Sequence, residues 1–216
     1  MVAKAKELAM ILSRLSDIGS PNPDLEQWTT PSDLASEIIF YAYNHGDIEG
    51  RICADFGCGN GIFAIGMALM GAERVYAVEI DEMAINVAKK NCSFVEELYG
   101  PLPIVFINED VRRINLRVDT IIMNPPFGLE RGTRHADRYF LIKGFECSDT
   151  IYSLHHSSRR SRKFLDRLAG EYGFSLSFIK TYAFPLKARF WFHRRERKNV
   201  LVDFLVFRRL QSGIHG

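Results

Sequence analysis

The sequence has few cysteines and no long apolar segment. Its 216 residues include four cysteines, and their wide spacing contains no Cys-x-x-Cys pair, so neither a zinc site nor a disulfide framework is expected. No stretch approaches the roughly 20 apolar residues that cross a bilayer. The first ten residues alternate charged and small apolar types, without the apolar run of a signal peptide. We therefore expect a cytoplasmic protein without a membrane segment.

The net charge is also small, but only because two regions of opposite charge nearly cancel. The formal net charge is +2. Residues 1–120 contain 10 Lys and Arg against 18 Asp and Glu, whereas residues 121–216 contain 18 against 8. The two parts therefore carry −8 and +10. A basic second half indicates an anionic partner, and nucleic acid is the first candidate.

Short apolar runs alternate with stretches of helical periodicity along most of the chain. Strands are predicted where apolar residues run continuously, at 52–54, 74–79, 104–107, 119–123 and 150–154. Helices are predicted where apolar residues recur every three or four positions, at 4–15, 32–44, 62–69, 82–91 and about 140–145. This alternation is typical of an α/β fold, with a parallel sheet and helices on both of its faces.

The last third of the sequence changes character. Three runs rich in aromatic and β-branched residues follow, at 176–183, 190–193 and 200–207. We interpret these runs as antiparallel strands. The main domain is expected to span residues 25–210, preceded by an N-terminal helical extension over 1–24 and followed by a tail over 211–216.

A glycine-rich loop follows the first predicted strand and opens a helix. It reads Asp55-Phe-Gly57-Cys-Gly59-Asn60-Gly61, and this is the position at which α/β sheets bind nucleotides. Glycine lets the backbone approach a ligand closely because it has no Cβ. The third glycine of the dinucleotide fingerprint is missing and no Gly-Lys-Ser/Thr follows. A pyrophosphate or triphosphate is therefore not the expected ligand.

Acidic residues end the next two strands. Glu79 comes 18 residues after the loop, where its carboxylate can accept hydrogen bonds from both hydroxyls of a ribose. Asp110 follows the third strand, where it could accept a hydrogen bond from an exocyclic amine. Ile80 and Val111, which directly follow these acids, belong to the same candidate site. A nucleoside that carries positive charge fits this set, and S-adenosylmethionine meets that description.

The motif Asn124-Pro125-Pro126-Phe127 follows the fourth predicted strand. An aromatic amino group is a poor nucleophile because its lone pair is delocalised into the ring. Methylation of such a group requires acceptors that hold it close to the methyl donor. Asn124 and the carbonyl of Pro125 can supply them, the diproline can fix that carbonyl outward, and Phe127 can stack on the base. No strong general base is needed.

Four segments of the sequence together resemble one known family. They are Glu-Gln-Trp-Thr-Thr-Pro at 26–31, the glycine loop at 55–61, Asn-Pro-Pro-Phe-Gly at 124–128 followed by Asp137 and Phe140-Leu141, and Ile-Tyr-Ser-Leu-His at 151–155. They resemble the methyltransferase-like-five group, known as class I, S-adenosylmethionine-dependent N6-adenine methyltransferases of small-subunit ribosomal RNA. The resemblance implies a Rossmann-like class I methyltransferase fold, with a mostly parallel seven-stranded sheet and an antiparallel last strand.

The resemblance also implies further contacts. Gln27 and Thr30 would border the methionine end of the cofactor. In the usual strand order of this fold, the strand at 104–107 lies at a sheet edge, and an edge without charges favours strand addition by a partner. The resemblance implies a small zinc-binding activator protein at that edge.

Basic clusters follow the Asn-Pro-Pro-Phe motif, within 131–138, 159–167 and 187–198, and the last contains aromatic residues. Arginine and lysine can neutralise phosphates, and aromatic rings stack on unpaired bases. The candidate RNA contacts are Arg131, Arg134, Arg159, Arg160, Lys163 and Arg195. Each cluster alone could be a solvated surface, but together they favour RNA as the partner.

Three functions remain open at this point. The leading one is methylation of N6 of an adenine in RNA, where the target base is flipped out or unpaired. The Asn-Pro-Pro-Phe motif is shared with guanine-N2 and DNA adenine methylases, so either is an alternative. A noncatalytic RNA-binding assembly factor is the third, although an intact Asn124 argues against it. The pair His155-His156 lacks companion ligands at useful spacing, so we expect a core role and no metal.

Overall fold

The computed structural model describes residues 4–19, 22, 25–128, 136–186 and 198–211. The helices are α1 (Ala5–Leu12), α2 (Ser32–Asn44), α3 (Ile62–Leu69), α4 (Glu82–Tyr99), α5 (Ala136–Cys147) and α6 (Arg159–Glu171). The strands are β1 (Ile52–Phe56), β2 (Arg74–Glu79), β3 (Ile104–Asn108), β4 (Thr120–Met123), β5 (Thr150–His156), β6 (Phe174–Leu186) and β7 (Lys198–Arg209).

The strands form one seven-stranded sheet in the order β3-β2-β1-β4-β5-β7-β6. The first five strands pair in parallel, while β7 is antiparallel to both of its neighbours. Strand β3 forms one edge of the sheet and β6 the other. The predicted mostly parallel sheet with an antiparallel last strand is confirmed.

Helices cover both faces of the sheet, as predicted. One core cluster joins α1, α2, α3 and α4 to the first face, and the other joins α5 and α6 to the second. The N-terminal segment takes part in the first cluster, because Leu8 and Leu12 are buried there. All four cysteines are buried free thiols. The core is therefore divided between two layers with the sheet in the middle.

Several elements differ from the predicted bounds. Helix α4 is eight residues longer than predicted, because Cys92 and Val95 continue its buried stripe. Helix α6 was anticipated only as a basic cluster, since it buries just Leu165, Leu168 and Ala169 along a strongly charged sequence. The predicted strand at 190–193 lies outside the described residues.

Strands β6 and β7 form a ribbon that continues past the end of β5. The pairing of β5 with β7 stops at His156 and Val202, whereas β6 and β7 pair as far as Leu186 and Lys198. Because β6 runs in the same direction as β5, this ribbon projects at the edge where the parallel strands have their carboxyl ends. That edge also holds the candidate site.

Candidate active site

A cavity of about 280 Å³ opens at the carboxyl ends of β1, β2, β3 and β4. Eleven of the predicted site residues line it, and they come from separate parts of the chain: Gln27, Thr30, Gly57, Gly59, Asn60, Glu79, Ile80, Asp110, Val111, Asn124 and Pro126. The predicted residues Asp55, Gly61, Pro125 and Phe127 are not among the residues that line it. Parallel strands thus bring most of the candidate cofactor and acceptor residues to one place.

The glycine loop forms the floor of the cavity. Gly57, Gly59 and Gly61 have φ angles of +72°, +54° and +85°, in the left-handed region that favours glycine. The Gly57 amide donates to the Val78 carbonyl at 2.9 Å, which folds the loop over the end of β2. A Cβ on Gly61 would lie 3.1 Å from the Ala88 Cβ. Gly61 therefore allows close packing against α4, while Gly57 and Gly59 line the cavity.

The side chains of Asp55 and Asn60 form hydrogen bonds with backbone groups of the protein. The Asp55 carboxylate is fully buried and accepts a hydrogen bond from the Ala64 amide at 2.9 Å. Burial raises the pKa of Asp55 to about 8. Asn60 lines the cavity, but its side-chain amide donates to the Ser16 carbonyl at 3.2 Å. Asp55 thus joins the end of β1 to the first turn of α3 and fixes the shape of the loop.

Glu79 is 7% exposed and presents its carboxylate to the cavity. Its two oxygens accept hydrogen bonds from the Gly59 amide at 2.9 Å and the Asp81 amide at 3.0 Å. Burial raises the pKa of Glu79. An ionised carboxylate has about four acceptor positions, so two further hydrogen bonds can still be accepted. This capacity matches the two hydroxyls of a ribose.

Asp110 has a partner that the sequence analysis missed. The Arg112 guanidinium forms an ion pair with Asp110, and the Arg112 amide donates to it at 2.9 Å. These hydrogen bonds hold the pKa of Asp110 below its usual range. Arg112 also lines the cavity, as do Val111 and the half-exposed Ile80. Charge and apolar surface therefore adjoin on the β3 side of the cavity.

The amide of Asn124 is oriented by two acceptors. Its Nδ2 donates to the Trp28 carbonyl at 3.3 Å and to the Thr30 hydroxyl at 3.1 Å. Its Oδ1 is buried and has no hydrogen-bond partner among the described residues. A buried carbonyl oxygen without a partner is costly, so this atom marks a place where a ligand donor fits.

Aromatic residues near the motif occupy different positions. Phe127 is 8% exposed and packs edge-on against Phe184 of β6, with ring centroids 5.6 Å apart. Tyr139 and Phe140 of α5 line the cavity, and neither was predicted as a site residue. The stacking role of Phe127 stays a prediction, and these two rings are further candidates for contact with a base.

The predicted basic residues are only partly within the described chain. Arg159, Arg160 and Lys163 are exposed on the first turns of α6. This helix follows β5, whose carboxyl end lies beside that of β4. Arg131, Arg134 and Arg195 lie outside the described residues.

His155 has the predicted core position. It is 1% exposed, and its Nε2 lies 2.8 Å from the Ser153 hydroxyl. The described part of the chain contains no group of three His, Cys, Asp or Glu that could hold a metal ion. Among the same residues, no helix is long and apolar enough to cross a membrane.

Comparison with known proteins identifies relatives of this chain. The model of the ribosomal protein L11 methyltransferase family matches residues 38–124. The rRNA N(6)-adenosine-methyltransferase METTL5 of Danio rerio is 31% identical, over 94% of this chain and 98% of its own. The structure of a candidate RNA methyltransferase from Pyrococcus horikoshii is 40% identical, with a TM-score of 0.87, over 97% of this chain and 100% of its own.

A more distant structure supports the fold alone. The magnesium protoporphyrin IX methyltransferase of Synechocystis, solved with bound S-adenosylmethionine, is 20% identical with a TM-score of 0.60, over 81% of this chain and 77% of its own. The sheet order, the glycine loop and the motif after β4 agree with the resemblance seen in the sequence. With its identity to the zebrafish enzyme extending over nearly all of both chains, this protein belongs to the METTL5 family of rRNA N6-adenosine methyltransferases.

Proposed function

We propose that this protein transfers a methyl group from S-adenosylmethionine to N6 of an adenosine in RNA. The Oδ1 of Asn124, which is buried and has no hydrogen-bond partner in the part of the chain that the structure describes, is the observation that supports this most directly. The finer proposal, from the family resemblance, is that the RNA is that of the small ribosomal subunit.

The cavity suits the cofactor in three respects. The Glu79 carboxylate can still accept hydrogen bonds from ribose hydroxyls. Beside it, the glycine loop presents backbone without side chains to the cavity. Ile80 and Val111 offer apolar surface for a flat base. Carboxylates on the wall favour a cationic ligand. When bound, S-adenosylmethionine supplies a methyl group made electrophilic by its sulfonium.

Asn124 is the residue proposed to hold the amino group that receives the methyl. Both hydrogen atoms on Nδ2 are directed to Trp28 and Thr30, so the acceptor Oδ1 is the atom of this amide that is left for a ligand. A hydrogen bond from the adenine amino group would draw its lone pair out of conjugation and fix its direction. The carbonyl of Pro125 is proposed as the second acceptor. No side chain has to remove a proton before transfer.

The RNA is proposed to cross the edge of the sheet beside α6. Arg159, Arg160 and Lys163 stand exposed near the carboxyl end of β5, next to the strand that carries Asn124. Cations at that position can neutralise phosphates that flank the target nucleotide. Arg131, Arg134 and Arg195 remain proposed contacts from the sequence.

A partner is also proposed at the edge strand β3. Among the strands that the structure describes, β3 has a neighbour on one side only, and Val105 on it is 42% exposed. Uncharged edge strands favour pairing with a strand of another chain. The family resemblance leads us to propose a small zinc-binding activator protein as that partner.

The proposed location is the cytoplasm. All four cysteines are free thiols in the core. Burial raises the pKa of Cys53 to about 12 and that of Cys92 to about 11, so these thiols stay protonated and unreactive. Free thiols of this kind are typical of proteins in a reducing compartment.

The test is incubation of the purified protein with labelled S-adenosylmethionine and total ribosomal RNA, followed by nucleoside analysis. We expect N6-methyladenosine, and we expect Asn124→Ala to reduce its formation by about 100-fold or more while leaving cofactor binding intact. The exposed Asn44 at the end of α2 provides the control variant Asn44→Ala. Methylated guanine would instead indicate the guanine-N2 alternative. Undiminished transfer by Asn124→Ala would refute the mechanism.

A further inference from the structure

One short segment, residues 26–30, contacts both sides of the cavity. On the cofactor side, Gln27 Nε2 donates to the Asp81 carboxylate at 2.6 Å. On the acceptor side, the Trp28 carbonyl and the Thr30 hydroxyl both accept from Asn124. The segment thus joins the end of β2 to the motif that follows β4.

The contacts with Asn124 determine which end of its amide faces the cavity. An amide side chain can rotate by half a turn and exchange its oxygen and nitrogen. The Trp28 carbonyl can only accept a hydrogen bond, so it must face Nδ2 and not Oδ1. The Thr30 hydroxyl lies 3.1 Å from the same nitrogen and reinforces this choice. Oδ1 is consequently left for the substrate.

Glu26 contacts the other end of the same motif. Its carboxylate is buried and accepts a hydrogen bond from the Gly128 amide at 3.1 Å. Glu26 also has a φ angle of +46°, in the left-handed region. Residues other than glycine seldom adopt this conformation, and they tend to do so at functional sites. Together, Thr30 and Glu26 hold the first residue of the motif and the glycine that follows its last.

We propose that Thr30 and Glu26 are positioning residues for methyl transfer. Thr30 keeps Oδ1 of Asn124 directed at the amino group of the base, and Glu26 fixes the end of the loop that carries the Pro125 carbonyl. This inference rests on the proposed function, but it assigns these residues to the acceptor base. The family resemblance placed Thr30 beside the cofactor.

The first test compares Thr30→Val with Thr30→Ser. Valine has nearly the shape of threonine but cannot accept a hydrogen bond, whereas serine can. We expect Thr30→Val to lower kcat by about 3- to 10-fold, the worth of one hydrogen bond. Thr30→Ser should stay within about twofold of the wild type. The Kd for S-adenosylhomocysteine, measured by calorimetry, should be unchanged in both variants.

The second test compares Glu26→Ala with Glu26→Gln. Glutamine keeps an oxygen that can accept from the Gly128 amide, whereas alanine does not. The two variants share the same left-handed backbone requirement, so strain at this position is matched between them. We expect Glu26→Ala to lower kcat, whereas Glu26→Gln should keep most of the wild-type kcat. Thermal unfolding of both variants provides the measure of any general loss of structure.

A third measurement does not depend on activity. The side-chain amide signal of Asn124 in a protein labelled with ¹⁵N-asparagine can be assigned by its loss in Asn124→Ala. We expect this signal to shift and its hydrogen exchange to quicken in Thr30→Val, and to change little in Thr30→Ser. An unchanged signal would show that Thr30 does not hold the amide.

The outcomes separate this inference from the proposed function. A wild type that forms no N6-methyladenosine contradicts the proposed function, while the amide signal still decides whether Thr30 orients Asn124. An active wild type with an equally active Thr30→Val overturns the positioning role alone. An increase in the Kd for S-adenosylhomocysteine as large as the decrease in kcat/KM would assign Thr30 to cofactor binding. That result would also overturn the positioning role.

Discussion

The close packing of the glycine loop against α4 leads to a prediction for Gly61→Ala. Gly61 has a φ angle of +85°, and an added Cβ would lie 3.1 Å from the Ala88 Cβ and 3.4 Å from its Cα. The closer of these atoms, the Ala88 Cβ, is bonded directly to the backbone of α4, so it cannot move aside without shifting the helix. Two separate costs therefore act at this position, namely backbone strain and steric overlap.

The size of each cost can be estimated. A left-handed conformation costs an L-residue roughly 1–2 kcal/mol, and overpacking in a filled core typically adds about 1–3 kcal/mol. Gly173, after α6, has a φ angle of +74° with nothing within 4 Å of an added Cβ. Gly173→Ala thus isolates the strain. We expect losses in the free energy of unfolding of about 1–2 kcal/mol for Gly173→Ala and about 2–5 kcal/mol for Gly61→Ala.

The assay is urea unfolding of both variants, followed by the shift in midpoint at constant m-value. Calorimetry with S-adenosylhomocysteine gives the second readout. Only Gly61→Ala should weaken binding, because its loop carries the cavity residues Gly57 and Gly59. Equal stability losses in the two variants, or unimpaired binding by Gly61→Ala, would refute the argument that close packing against α4 shapes the loop.

Further predictions concern packing, pH and salt. In Gly66→Ala the new Cβ would lie 2.3 Å from Ile39 Cδ1, so this variant should unfold at a lower urea concentration than the wild type. Valine lacks that carbon, so the double variant Gly66→Ala with Ile39→Val should recover part of the lost stability. The pKa of Asp55 is raised from 3.8 to about 8 by burial, so the folded state holds this proton more tightly, and the free energy of unfolding should decline as pH rises from 4 to 8. Asp55→Asn should flatten that decline in urea midpoints measured across this range. Arg160→Gln should reduce the salt slope of RNA binding by about one phosphate contact, whereas Lys6→Gln on α1 should leave filter-binding isotherms unchanged.

The features that the sequence predicts well are those set by local chemistry. The bounds of α3 and β2 agree with the predictions at 62–69 and 74–79, because glycine turns and continuous apolar runs mark their ends. The order of the sheet came from the family resemblance, since alternating elements alone do not determine which strand lies at the edge. The glycine loop, Glu79 and Asn124 reach one cavity because each lies at or directly after the carboxyl end of a parallel strand.

The features that the sequence missed are side-chain contacts, some within one turn and others between distant segments. Arg112 faces Asp110 because the short turn Val111–Arg113 folds back on the carboxylate, and no pattern of spacing indicates this. Glu26 reaches Gly128 across 102 positions. The packing of the Phe127 ring against Phe184, on a strand that is distant in sequence, was also not predicted. Such partners become visible only when the chain is folded.

The division of charge along the chain also bears on how a nucleic acid would approach. Four carboxylates and one guanidinium line the cavity: Glu26, Glu79, Glu109, Asp110 and Arg112. Exposed cations on α6 stand near the neighbouring strand end. Because phosphates would be repelled by the first group and attracted by the second, we expect an RNA backbone to lie over α6. We expect only an uncharged base to enter the acidic cavity, so that the same charges that favour a cationic cofactor would also select the part of the RNA that approaches Asn124.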